Sequence, residues 1–394
     1  MGAQIVSPMN SVFLSPHFPP NFYHFAVHLK GCGAKVFGIA DEAYENLNPA
    51  LQASLTEYYR VSDMHNYDEL VRALGYFTHK YGKLDHLDSH SEYWLETEAR
   101  LRSDFNIPGL KLDEIDRIKR KSQMKKVFEE AGLKPARGRV CRNKQEVLSF
   151  IEEVGYPVVA KPNVGVGAAK TFKLTDAESL EYYLKEKLPQ TYIVEEFIDA
   201  PIVTFDGLVD IEGNVIFSST LQYDKGVMEI VNEETDMYYY LTEEIDPRLE
   251  RAGFITLRAF DVSARFFHFE FFMTPEGEVI PLEVNMRPPG GLTVDMWNYL
   301  FDFDCYRTWA EMIVNDIARP VETRGNCIIY VSRKDRIQYA LTHAEVVDRF
   351  KDLLVLEERI SPIFAPALGD QGYILRGKQV KILTDAAQVI QKRA

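Results

Sequence analysis

The segment from His268 to Arg287 reads HFEFFMTPEGEVIPLEVNMR, with polar groups recurring at alternate positions among apolar ones. Its two halves, 268–273 and 279–285, are strand candidates. A two-residue turn centred on Glu276-Gly277 sets Glu270 opposite Glu283 and His268 opposite Asn285. Side chains alternate along a strand, so Glu283, Asn285 and Arg287 share one face, and His268 and Glu270 share the facing surface of the partner. Two carboxylates about 4 Å apart repel by about 4 kcal/mol at an effective dielectric of 20, so such a pair calls for a cation. Two carboxylates and an amide carbonyl are hard oxygen donors. They suit magnesium, with manganese as a substitute, whose shell is completed by phosphate oxygens and water. Arg287 adds a fixed charge for a transferring phosphoryl group or a developing oxyanion. The bland reading is a surface hairpin with a solvated polar face and a salt bridge. The opposed carboxylates and apolar neighbours weigh against it.

Other segments fit phosphate chemistry. Residues 156–162, YPVVAKP, form a short apolar strand carrying Lys161, followed by a loop with Gly165 and Gly167. A lysine there reaches phosphate oxygens, and glycines let backbone N–H groups approach a nucleotide. Neither GxxxxGK[ST] nor GxGxxG is present, and a glycine loop alone is usually only a turn. The strand 192–198, YIVEEFI, is stopped by Pro201. The backbone of Glu196, Phe197 and Ile198 could pair with an adenine edge, with Glu195 near its exocyclic amine. An edge strand bearing charges is the plainer account of that segment alone. Lys121 could reach a phosphate from the other side, although Lys119-Arg120-Lys121 also reads as a solvated basic run.

These residues must be positioned by the rest of the chain. Alternating strands (4–8, 35–40) and helices (22–29, 67–81, 92–105) over the first ~110 residues suggest βαβ units around a parallel sheet. Asn106-Ile107-Pro108-Gly109 breaks the chain, and a helix over 122–131 is closed by Gly132. From Pro135 short strands alternate with single helices in an α+β pattern. Tyr238-Tyr239-Tyr240 reads as a loop lining a substrate cleft. His24 and His28 stand at i, i+4 on a helix with no acidic partner following them, which favours a structural role. Near Arg319-Pro320 a small α+β lobe begins. The expected domains are 1–115 (α/β), 116–319 (nucleotide and metal site) and 320–394 (C-terminal lobe).

A net charge of −14 over 394 residues argues against nucleic acid as partner. The four cysteines lie far apart without CxxC spacing, as expected of reduced thiols in a cytoplasmic protein. No stretch approaches the ~18 apolar residues of a membrane span. Gly2 is not followed by Ser or Thr at the place N-myristoylation expects.

Taken in order, Lys121, the 156–169 strand and loop, IVEEFI and FEFFMTPEGEVIPLEVNMRPPGG resemble the ATP-grasp superfamily over essentially the whole chain. The resemblance implies a pre-ATP-grasp, Rossmann-like N-terminal domain, a grasp domain and a C-terminal lobe. It also implies an ADP-forming ligase that activates a small-molecule carboxylate as an acyl phosphate and couples it to an amine. Lys121, Lys161, Gly165 and Gly167 would bind phosphates, and Glu195 with the backbone of Glu196, Phe197 and Ile198 the adenine. Glu270, Glu283 and Asn285 would ligate magnesium. Arg287 would stabilise the acyl-phosphate chemistry. His268 and the Pro288-Pro289-Gly290-Gly291 extension are similar to the branch that joins amino acids, where this loop lies beside the carboxylate substrate. A homodimer is compatible with it. One departure is that Pro201-Ile202 stands where many relatives carry an acidic ribose ligand. A kinase on the same fold needs one acceptor where a ligase needs two co-substrates. A non-catalytic nucleotide-binding regulator would be expected to have lost metal ligands that are present here.

Overall fold

The computed structural model describes residues 8–165, 170–187, 189–224 and 236–394. Four strands near the N-terminus, β1 (Asn10–Leu14), β2 (Lys35–Ala40), β3 (Glu57–Arg60) and β4 (His86–Asp88), form a parallel sheet in the order β3-β2-β1-β4. Val12, Phe13, Leu14, Val36, Phe37 and Ile39 have no exposure, because helices cover both faces of a parallel sheet. The helix Tyr67–Tyr81 buries Leu70, Ala73, Leu74 and Phe77, one stripe at helical spacing. Asp68 and Glu69 lie in its first turn and His79 and Lys80 in its last, matching the helix dipole. Of the expected strand 4–8, residues 4–7 lie outside the described residues and Pro8 is not in a strand. The first strand begins at Asn10, where pairing with Lys35 and burial on the sheet outweigh the turn-like look of Asn10-Ser11.

A second sheet is antiparallel, with β5 (Gly138–Cys141), β6 (Val158–Pro162), β7 (Phe172–Leu174) and β8 (Tyr192–Glu196) in the order β5-β8-β6-β7. The third holds β9 (Ile202–Val209), β10 (Val215–Tyr223), β11 (Tyr238–Thr242), β12 (Arg265–Met273), β13 (Val279–Asn285), β14 (Cys327–Arg333), β15 (Leu354–Arg359) and β16 (Gln371–Gly377). Its order is β13-β12-β9-β10-β11-β14-β16-β15. The three strands after residue 320 therefore extend the sheet that carries the hairpin, through Tyr240 opposite Ile329. Tyr238, Tyr239 and Tyr240 form a strand there instead of a loop. Tyr239 is buried against Tyr223 and Tyr330, and that packing converts a tyrosine run into sheet core.

The hairpin strands β12 and β13 have one apolar and one polar face. Phe267, Phe269, Phe271 and Val284 pack against Met124 and Phe128 of the helix Lys121–Glu130 and Leu249 and Leu257 of the helix Pro247–Ala259. Each such side chain removed from water contributes about 1.5–3 kcal/mol, so this face anchors the hairpin and leaves the other free for chemistry.

Candidate functional site

In the hairpin, Glu270 pairs with Glu283 and His268 with Asn285. The connection differs from a two-residue turn. Met273 pairs with Val279, the Thr274 N–H donates to Glu278 O (3.0 Å), and the Gly277 N–H donates to Thr274 O (2.8 Å). Gly277 takes φ +85°, which a residue with a Cβ rarely adopts. The longer loop alone would offset the pairing by one. A β-bulge between Glu270 and Phe271, with Leu282 as the extra residue on β13, shifts it back. Loop and bulge compensate, and the carboxylates meet.

The pair does not stand without cations. Glu283 Oε1 accepts from Lys121 Nζ at 2.9 Å, and Glu270 Oε1 faces His268 Nε2 at 3.2 Å. His268 Nδ1 lies 2.7 Å from Asp206 Oδ1 on β9, directly across the strand pair. Thr204 Oγ1 donates to the other Asp206 oxygen. Burial alone would lower the His268 pKa, but Asp206 and Glu270 outweigh it and hold it up at about 9, so the imidazole is a cation at neutral pH. Asp206 has no exposure, and burial keeps it above the usual aspartate range despite these partners. Burial also works against the Glu270 charge, but His268, Arg287 and Lys161 prevail and hold its pKa below the ordinary value.

Lys161 closes β6 from the other sheet. Its Nζ lies 2.7 Å from Glu195 Oε2, and Lys125 Nζ lies 2.8 Å from Glu195 Oε1. Burial opposes the charge on Lys161, but Glu195, Glu283 and Glu270 raise its pKa, so this lysine senses both hairpin carboxylates. Lys121 is brought in by Asn163, whose backbone O accepts the Lys121 N–H and whose Oδ1 accepts the Ser122 N–H, each at 2.9 Å. The loop after Lys161 and the helix carrying Lys121 are thereby stapled together.

Glu195 therefore sits between two lysines rather than open towards a ligand amine. Glu196 points to Arg137, accepting its backbone N–H (2.7 Å) and its guanidinium. The Glu196 and Phe197 amides are given to Arg137 O (2.9 Å) and Pro157 O (3.3 Å), while that of Ile198 donates to no described residue. Gly165 follows the Asn163 staple, whereas Gly167 lies outside the described residues. Arg287 donates to Pro288 O (2.7 Å) and faces Glu270 and Tyr223. Gly290 O accepts from Thr293 Oγ1 (2.8 Å). Gly291 takes φ +68°, and a Cβ there would lie 3.1 Å from Tyr239 Oη. Sequence reasoning missed Lys125, Asn163, Thr204 and Asp206. Only the last two left a signal, polar groups two apart in an otherwise apolar strand facing His268.

For a divalent cation, the donor set on this face is two carboxylates and one amide, all oxygen. Among the described residues no group of three or more His, Cys, Asp or Glu side chains is arranged to hold a metal by itself. The residues fit an ion that takes the rest of its shell from phosphate and water, not an all-protein cage. Among them too, no helix is long and apolar enough to cross a membrane.

Residues 154–295 match the family model of the ATP-grasp domain. This span is an ATP-grasp domain. The matched span holds Lys161, Glu195, the carboxylate pair, Arg287 and the Pro288–Gly291 loop. Curated relatives include the carbamoyl phosphate synthase large chain of Neisseria meningitidis, 25% identical over 202 residues, covering 48% of this chain and 18% of that one. The chain thus spans about a fifth of that relative's length. The L-arginine-specific L-amino acid ligase of Bacillus subtilis is 25% identical over 256 residues, 58% of this chain and 59% of that protein. In fold the chain is similar to the L-amino acid ligase of Bacillus licheniformis (TM-score 0.73, 15% identity, 96% of each chain). It is also similar to the N5-carboxyaminoimidazole synthetase of Staphylococcus aureus (TM-score 0.71, 11% identity, 98% and 99%).

Proposed function

We propose that this ATP-grasp protein is an ADP-forming carboxylate–amine ligase acting on small molecules, with an amino acid as the activated carboxylate. The observation that carries the reading is the Glu270–Glu283 pair with Asn285 on one face, met by Lys161 from the second sheet and Lys121 from the helix above. The relatives that join amino acids support the choice of substrate class.

ATP would lie between the two sheets. The Ile198 amide, which donates to no described residue, would take the adenine edge, and Lys121 and Lys161 the phosphates. Glu270, Glu283 and Asn285 would hold magnesium, which supplies charge neutralisation across adjacent phosphates. Lys121 must then exchange Glu283 for phosphate, so nucleotide binding rearranges that ion pair. A carboxylate oxygen of the substrate attacks the γ-phosphorus and ADP leaves, with Lys161 and Arg287 meeting the spread charge. The amine attacks the acyl carbon, Arg287 stabilises the oxyanion, and phosphate departs with the former carboxylate oxygen. His268, protonated and bonded on both nitrogens, is suited to fixing Glu270 and not to acting as a base.

The test is phosphate release with magnesium-ATP and pairs of amino acids. ADP formation that requires both partners supports the reading. AMP formation, or turnover with a single hydroxyl acceptor, rejects it in favour of adenylation or a kinase.

A further inference from the structure

The ladder of β13 ends at Asn285, and the chain bends through Met286 and Arg287. Both backbone groups of Met286 are nevertheless held, by side chains. Its N–H donates to Glu92 Oε2 (3.2 Å), and its O accepts from Arg265 Nη1 (3.3 Å). Glu92 follows β4 in the N-terminal domain and is 5% exposed. Its other oxygen faces Lys119 Nζ at 3.2 Å, and the same ammonium donates to Glu92 O (2.7 Å). Lys119 ends the short helix Asp116–Lys119, two residues before Lys121. Glu92 thus ties the backbone beside Arg287 to the side chain of Lys119, two residues before Lys121, from a domain that contributes neither charge.

Resting on the ligase reading above, we propose that Glu92 is a positioning residue for the reaction, fixing Arg287 through the Met286 amide and Lys121 through Lys119. A buried carboxylate without such a duty would be costly to keep, since its desolvation is offset only by good partners. Strand ends fray where the ladder stops. An arginine that must meet a transferring group within a fraction of an ångström cannot rest on a fraying end.

The test is a double-mutant cycle on ADP formation in the full chain. Glu92→Ala should lower kcat by about 10-fold or more while the KM for magnesium-ATP moves by less than about 3-fold. Glu92→Gln, which keeps an acceptor for the Met286 N–H, should recover most of kcat. Glu92→Ala should slow the Arg287→Ala enzyme by clearly less than it slows the unaltered one, because the part of its effect that acts through Arg287 is already gone. Hydrogen exchange at the Met286 amide should accelerate in Glu92→Ala and stay slow in Glu92→Gln. If Glu92→Ala fails to fold because Lys119 is stranded, the Glu92→Ala/Lys119→Met pair replaces it in the cycle. Multiplicative losses, or a Met286 amide indifferent to Glu92, overturn the inference and leave the ligase reading standing. Absence of ATP turnover in the unaltered chain overturns the ligase reading instead.

Discussion

Lys121 Nζ lies 2.9 Å from Glu283 Oε1, so the residue proposed to bind phosphate neutralises the one proposed to bind metal. On the proposed reading, each occupies the position of the other's ligand. Magnesium alone should therefore bind weakly, and nucleotide and metal should bind cooperatively. Lys121→Met should strengthen nucleotide-free magnesium binding by about 10-fold, a change of about 1.4 kcal/mol, while lowering turnover. Titration calorimetry of magnesium with and without a non-hydrolysable ATP analogue checks both arms. Unchanged magnesium affinity in Lys121→Met would refute the competition.

Glu270 and Glu283 face each other across the hairpin, and neither should be replaceable by its amide. Glutamine keeps the shape and one acceptor oxygen but removes the charge that a divalent ion needs. Glu283→Gln and Glu270→Gln should each reduce ADP formation by about 100-fold or more, with thermal stability close to the unaltered protein. Full turnover in Glu283→Gln would rule out its metal role.

How much of this could be read from the residues depends on the range of the interaction. The pairing of Glu270 with Glu283 was legible because strand periodicity is local and the turn lies between them. The loop is longer than supposed, and the bulge at Leu282 that offsets it left no mark in composition. Lys121 and Lys161 were legible as types at strand and helix ends, yet their partners were not. Glu283 is far along the chain from Lys121, and only the packing of the helix Lys121–Glu130 on the hairpin's apolar face brings them together. Glu195 looked like a ligand group because its strand looked like an edge. Pairing of β8 with both β5 and β6 makes it central and turns its carboxylate inward between Lys125 and Lys161.

That enclosure gives a stability prediction. Glu195 is 4% exposed, and removing its carboxylate strands two buried ammonium groups. Glu195→Ala should destabilise the protein by about 3–5 kcal/mol, the usual cost of breaking a buried ion pair from one side. Adding Lys125→Met should recover a good part of that loss, because one orphaned charge goes with it. Chemical denaturation of the two variants measures the difference, and no recovery in the double variant would contradict the geometry.

The raised pKa of His268 fixes a pH dependence. The folded value of about 9 lies above the ordinary 6.5, so the folded state binds the proton more tightly than the unfolded chain. This stabilisation is fully present below pH 6.5, declines as the pH rises, and is gone once the pH passes about 9. Its ceiling is about 3 kcal/mol at 1.36 kcal/mol per pKa unit. His268→Gln lacks it at every pH, so the stability gap between the two proteins should narrow steadily from pH 6.5 to 9. Denaturant midpoints across that range test it. In the altered protein Glu270 also loses the cation that helps keep it ionised. Its turnover should therefore fall most steeply at the acid end of the range. A gap that widens towards alkaline pH would mean that His268 is neutral in the fold and that its two carboxylate contacts are not ion pairs.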